Sequence, residues 1–402
     1  MTRERFSTRA ARLGGETSTA WALQDEALAR ACAGEKIMFL TVGDPDQSTP
    51  TPIVDAATRA LANGRTHYSP AAGEPVLRAT VAARATRDTG RQTAAENVIV
   101  YPGGQSALFG VVSMLLDAGD EVIVPEPFYA TYPGVVAAAG ARMVAAPTQA
   151  DAGFIVDIAA IASRVTPRTR AILLSSPNNP AGSIVDAVSL RALARLSRDL
   201  GIWLVADEVY SHFVYAGAHA SAWSFGDPAL TVVVDSVSKT YAMSGWRLGW
   251  ALAPPDLVLH LSNLAEAAQF ACSQFVQDAA IAALSSDLPE LVATREEYRT
   301  RRDFIVSRVQ AIPGLRAVVP AGGMFVMLDV RGVHADDVAF SRALLRVAGV
   351  AVIPGSGFGP SARGHVRVSL TQPLEVFERA FVAIRAFVDA VRSGREAIPV
   401  SE

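Results

Sequence analysis

The chain has 402 residues, half of them apolar, and a formal net charge of −3. That length predicts one large domain and a smaller one, and the charge gives no basic footprint for nucleic acid or an anionic membrane. Cys32 and Cys272 form no CxxC pair, and no segment approaches the ~20 apolar residues of a membrane span, so a cytoplasmic protein acting on small molecules, with no metal site, is expected.

The basic start, MTRERFSTRAARLGG, lacks the apolar stretch of a secretory signal. Residues 1–45 read as an arm and a helix, with Trp21, Leu23, Ala27, Leu28 and Ala31 near helical spacing. A proline-rich loop, TVGDPDQSTPTP, follows. From about residue 95, short β-branched runs alternate with helical patterns: NVIVYP then QSALFGVVSMLLDAG, DEVIVPEP then a helix, RAILLSSP then SLRALARLSRDLG, IWLVADE, and TVVVDSVSK. This alternation predicts an α/β fold with a mainly parallel, doubly wound sheet across residues 46–290. Residues 291–402 change texture. A charged helix leads to GGMFVMLDV, AVIPGSGF, HVRVSL and a terminal helix, a smaller α+β domain with which the arm is expected to pack.

Ligands of such sheets sit beyond the carboxyl ends of the strands, so the residues after each run come next. Lys239 follows TVVVDSV. A desolvated lysine there loses pKa, becomes a usable amine nucleophile and is able to form a Schiff base with an aldehyde cofactor. Ser236, Ser238 and Arg247 offer phosphate ligands around it. The plainer reading of a lone lysine is a solvated loop residue. In YPGGQSALFG, Gly103 and Gly104 bare the backbone where a helix opens, which suits a phosphate; a glycine turn explains them equally well. Asp207 ends a very apolar strand. A buried carboxylate needs a cation, such as a protonated pyridine nitrogen, although a helix-capping aspartate is the common alternative. Tyr210, three residues on, and the amides Asn178 and Asn179 are able to donate to a ring oxygen, or simply mark turns. Arg367, in GHVRVSL, is able to clamp a carboxylate in two-pronged fashion, unless it faces solvent.

In this order, SPNNPAG, ADEVY and SVSKTYAMSGWRLGW resemble the class I/II aminotransferases, the fold-type I pyridoxal-phosphate enzymes. The resemblance runs from TVGDPD to HVRVSL. It implies a large cofactor-binding domain with a small domain, and pyridoxal 5'-phosphate bound to Lys239, with Asp207 on the ring nitrogen. Tyr210 and Asn179 match the groups on the ring oxygen, and Tyr129 the stacked aromatic. Gly103, Gly104, Gln105, Ser236, Ser238 and Arg247 match the phosphate cradle. Arg367, helped by the backbone of Gly43, matches the clamp on the substrate α-carboxylate. Tyr68 matches a tyrosine that reaches the neighbouring subunit's phosphate, so a homodimer is implied. The implied reaction is ping-pong transfer of an amino group between an amino acid and a 2-oxo acid. Lyases and oxidative enzymes on the same fold are the alternative, as is a neutral or aromatic substrate.

The texture is most similar to arginine–pyruvate transaminases, in VGDPD, FVQDAA, REEYRTRRD, GGMFVMLDVR and GPSARGH. Gln105 departs from the lysine that aspartate-specific relatives carry. A guanidino substrate is therefore expected, either arginine or a cyclic relative such as enduracididine. Its cation needs an anion. Glu16, on the arm, is the first choice and Glu266 the second, with an ordinary solvated glutamate the alternative for each.

Overall fold

The computed structural model describes residues 5–13 and 17–398. Among the described residues, thirteen strands form three sheets. Strand β1 is Met38–Phe39, β2 is Val98–Tyr101, β3 is Glu121–Pro125, β4 is Arg142–Ala146 and β5 is Thr169–Ser175. Strand β6 is Trp203–Asp207, β7 is Thr231–Ser236, β8 is Gly249–Leu252 and β9 is Arg316–Val318. Strand β10 is Phe325–Asp329, β11 is Val350–Ala351, β12 is Ile353–Pro354 and β13 is His365–Ser369.

The main sheet has seven strands in the order β2-β8-β7-β6-β5-β3-β4. Only β8 runs antiparallel to its neighbours. The strands read as unbroken apolar runs because both faces are covered. Ile172, Leu174, Leu204 and Ala206 point into one cluster, shared with Ile53, Leu77, Leu193 and Ala279 of the covering helices. The intervening Ala171, Leu173 and Val205 point into the other, with Leu108, Val111, Val135 and Leu261. The period of two along each strand thus sorts consecutive residues between two helical layers. Strands β2, β5, β6 and β7 share one direction, so their carboxyl ends lie along one edge.

The antiparallel sheet β12-β13-β10-β9 backs onto a third core, built with the long helices Pro289–Gln310 and Leu374–Arg392. The N-terminal segment joins this side: β1 pairs with β11, and Leu40 lies in the same core. The expected arm helix spans Thr17–Cys32 and buries Leu23 and Ala27, but Leu28 is exposed, so the apolar stripe is narrower than the spacing implied. Strands β4, β8 and β9 and the helix Asp337–Ala348 are not legible as elements of the sequence rhythm; β4 is a half-exposed strand with an arginine and no bulky apolar run, β9 has three residues, and β8 follows the motif loop directly. Among the described residues, no helix is long and apolar enough to cross a membrane. Cys32 and Cys272 are free thiols.

Candidate active site

A cavity of about 200 Å³ opens at the carboxyl edge of the main sheet, against β10 and β13. Ser175, Asp207 and Ser236 each end a strand and line it. Lys239 lies three residues past β7. Its Nζ donates to the Gly43 carbonyl at 2.6 Å. Burial pushes the Lys239 ammonium down to about 8, with Asp44 opposing and Arg247 and Arg367 reinforcing the shift. Roughly a tenth of the amine is therefore neutral and nucleophilic at pH 7, far more than for an ordinary lysine.

Asp207 lines the cavity and caps no helix, since β6 runs into a turn. Burial raises its carboxyl to about 6, against the hydrogen bond that the Tyr132 hydroxyl donates to Oδ2 at 2.7 Å. A carboxylate so poorly compensated fits a cationic ring nitrogen. Asn179 donates through Nδ2 to the Tyr210 hydroxyl at 3.3 Å, and burial holds the Tyr210 phenol well above its usual range. Tyr129 lines the cavity beside Tyr132, the two rings edge to face.

The opposite end fits a phosphate. Gly103 stands at the N-cap of the helix Gly104–Leu115 with φ +90°, and a Cβ there would meet Arg247 Nη2 at 2.4 Å. Only glycine leaves room for that guanidinium beside the helix start. Gly104, Gln105, Ser236, Ser238 and Arg247 line this end. Gly103 lies just behind the lining. Arg247 donates to the carbonyls of Ser244 at 2.6 Å and Pro102 at 3.3 Å, and among the described residues it pairs with no carboxylate.

Arg367 is 1 % exposed, which overturns the solvent-facing alternative. It donates to Asn179 Oδ1 at 2.9 Å and to the Thr41 carbonyl at 2.6 Å, while its buried Nε has no partner among the described residues. Its guanidinium lies over the rings of Phe325, at 4.1 Å, and Phe358, at 4.8 Å. Burial lowers it to about 10, still charged at neutral pH. A buried cation without an acid partner is a site prepared for an anion.

Three expectations stand apart. Glu266 is exposed on the helix Pro255–Ala268, outside the cavity, because the core face of that helix is Leu257, Val258, Leu261 and Ala265. Tyr68 is 81 % exposed, beside Phe270, and does not line this chain's cavity. Glu16 lies outside the described residues. The sequence reading missed Trp21, Val42, Ser175, Val209, Ser244 and Phe325, which also line the cavity. Ser175 carried a signal, as the last residue of its strand. Trp21 and Phe325 carried none, because tertiary packing alone brings the arm and β10 to the sheet edge.

The family model described as aminotransferase class I and II matches residues 35–384. Arginine–pyruvate transaminase AruH of Pseudomonas aeruginosa is 45% identical over 377 residues, covering 94% of this chain and 96% of that protein. Aspartate/prephenate aminotransferase of Thermus thermophilus is 37% identical, covering 89% and 93%. Among solved structures, an aspartate aminotransferase from Thermus thermophilus with maleate superposes with a TM-score of 0.91 at 36% identity, over 96% of this chain and 100% of that one.

Proposed function

The chain belongs to the class I and II aminotransferases, and we propose that within this family it takes its amino group from a guanidino amino acid. It is a fold-type I enzyme that depends on pyridoxal phosphate and transfers an amino group between an amino acid and a 2-oxo acid. The substrate class is supported by its 45% identity to an arginine–pyruvate transaminase. It is also supported by Gln105, which puts no fixed cation where an acidic side chain would need one. Arginine and cyclic guanidino acids such as enduracididine share the chemistry in question.

In this reading Gly103, Gly104, Gln105, Ser236, Ser238 and Arg247 hold the cofactor phosphate. Tyr129 would stack on the ring, and Asn179 and Tyr210 would hydrogen-bond its hydroxyl oxygen. When bound, pyridoxal phosphate supplies an electrophilic carbon and a cationic ring that withdraws electrons from the substrate Cα. Asp207 holds the proton on the ring nitrogen by charge pairing. Arg367, with the Gly43 backbone, receives the α-carboxylate and so fixes which Cα bond faces Lys239. Lys239 would carry the cofactor covalently and, once freed by substrate, would serve as the base for the Cα proton and the acid that returns it.

The reading includes a homodimer in which Tyr68 reaches the partner's phosphate site; its exposure beside Phe270 is compatible with a covered surface. It also divides the chain into an arm at 1–45, a cofactor-binding domain at 46–290 and a small domain at 291–402, in a cytoplasmic enzyme. Glu16 is its candidate anion for the substrate side chain.

The test is a panel of amino donors with pyruvate as acceptor, following alanine and ammonia separately. Alanine formed fastest with arginine or another guanidino donor supports the reading. Fastest turnover of aspartate or an aromatic amino acid contradicts the substrate class, and ammonia released without an acceptor contradicts transamination.

A further inference from the structure

The cavity holds more positive than negative charge. Lys239, Arg247 and Arg367 line it, against a single carboxylate among the described residues, Asp207. Asp207 is engaged by the Tyr132 hydroxyl. For a substrate carrying a second cation, the lining offers no further carboxylate among the described residues, and the face of an aromatic ring is the group there able to attract it.

Four aromatic side chains line the cavity, and three are committed. Phe325 has its face against Arg367. Tyr210 is held by Asn179, and Tyr129 packs on Tyr132 at the cofactor end. Trp21 remains. Its helix, Thr17–Cys32, packs on β12 and the turn Gly355–Phe358, and Trp21 itself rests on a cluster that includes Phe154, Met327 and Phe358. It is half-buried, so the indole is held in place at the wall before any substrate arrives.

We propose that Trp21 is a specificity residue whose indole face stacks on the guanidinium of the substrate side chain, while Arg367 takes the carboxylate. This rests on the guanidino reading above. A guanidinium is planar and weakly hydrated, so it stacks on aromatic rings at little desolvation cost, and tryptophan is the strongest of the three rings in that role. A ring fixed beforehand by apolar packing pays little ordering entropy on binding.

L-Citrulline supplies the discriminating comparison, being close to arginine in shape but uncharged at the end of its side chain. The holoenzyme's half-reaction is measured with each, for wild type, Trp21→Phe and Trp21→Leu. The unreactive δ-guanidinovaleric acid, which is arginine without its amino group, reports binding alone through the cofactor spectrum. In Trp21→Leu the arginine-to-citrulline ratio falls about tenfold and the affinity for δ-guanidinovaleric acid falls in parallel, a size set by a part-desolvated cation–π contact. Trp21→Phe falls less, in the same direction, and remains informative if the leucine variant loses its fold. An unchanged ratio, with or without a general loss of rate, overturns the proposal and leaves Trp21 as apolar cover. A wild type that reacts with other amino acids but with no guanidino compound overturns the substrate class itself, and the Trp21 proposal with it.

Discussion

Arg301 and Arg367 are both almost completely buried, yet only Arg301 meets carboxylates. Arg301 donates to both oxygens of Asp46, at 2.8 and 2.7 Å, and also reaches Glu297. These acids raise its pKa despite burial. It ties the proline-rich segment to the helix Pro289–Gln310. Arg367, three residues before the Leu370 carbonyl that Arg301 also contacts, has only neutral oxygen partners among the described residues and is lowered instead. The same contrast holds for carboxylates. Glu121, fully buried away from the cavity, accepts from Arg142, Arg168 and Thr166 and is held well below its usual range. Asp207 is raised. Charge is neutralised internally where it holds the structure together, and left open where a ligand is to complete it.

Removing the cavity's amine should have the largest effect. Lys239→Ala is expected to lose at least about four orders of magnitude in turnover, as for a covalent nucleophile that also serves as base. Reductive trapping should then attach no cofactor to that position, as read by mass spectrometry. Arg367→Leu comes next, with kcat/KM for amino and oxo acids down about 10²–10³-fold through the lost bidentate clamp. Its cofactor spectrum should remain, and its melting temperature should hold or rise, because an unpaired buried cation is gone. Arg301→Leu should invert that pattern: about 1–3 kcal/mol of stability lost by denaturant melts, since Asp46 and Glu297 lose their partner. A similar fall in melting temperature for both arginine variants would erase the distinction between the two sites.

The smallest effects concern protons. In the cofactor-free protein, Asp207 keeps a proton between about pH 4 and 6 that the unfolded chain has released, so this group's contribution to stability falls as pH rises through that window. Asp207→Asn should remove that slope and gain about 1–2 kcal/mol at pH 7 without cofactor. Lys239 acts in the other direction for reactivity. Its amine labelling should rise with pH around about 8, below the range of an ordinary lysine.

Strand-end chemistry was legible in the sequence because a parallel sheet places the residues after each strand along one edge. That is why Lys239, Asp207, Asn179, Gly104 and Ser236 meet at the cavity. What folds over that edge was not legible. Tyr132 on Asp207, Phe325 and Phe358 around Arg367, and Trp21 on the wall depend on how the arm and the antiparallel sheet dock, and no local periodicity encodes docking. Arg367 illustrates the limit. Within HVRVS it alternates with two valines and reads as the exposed face, but β13 is covered on both faces and all five residues are buried. Glu266 is the converse: an acid chosen for its charge, which the helix Pro255–Ala268 turns outward.

The most direct test of the cavity's open charges is a half-reaction. The purified holoenzyme is mixed with one amino acid at a time, without any oxo acid, and the cofactor spectrum is followed. Arginine or a guanidino analogue is expected to convert the cofactor to its amine form, with aspartate far slower and Arg367→Leu slow with every donor. Conversion by aspartate as fast as by arginine, or an Arg367→Leu variant that reacts like the wild type, would contradict the account.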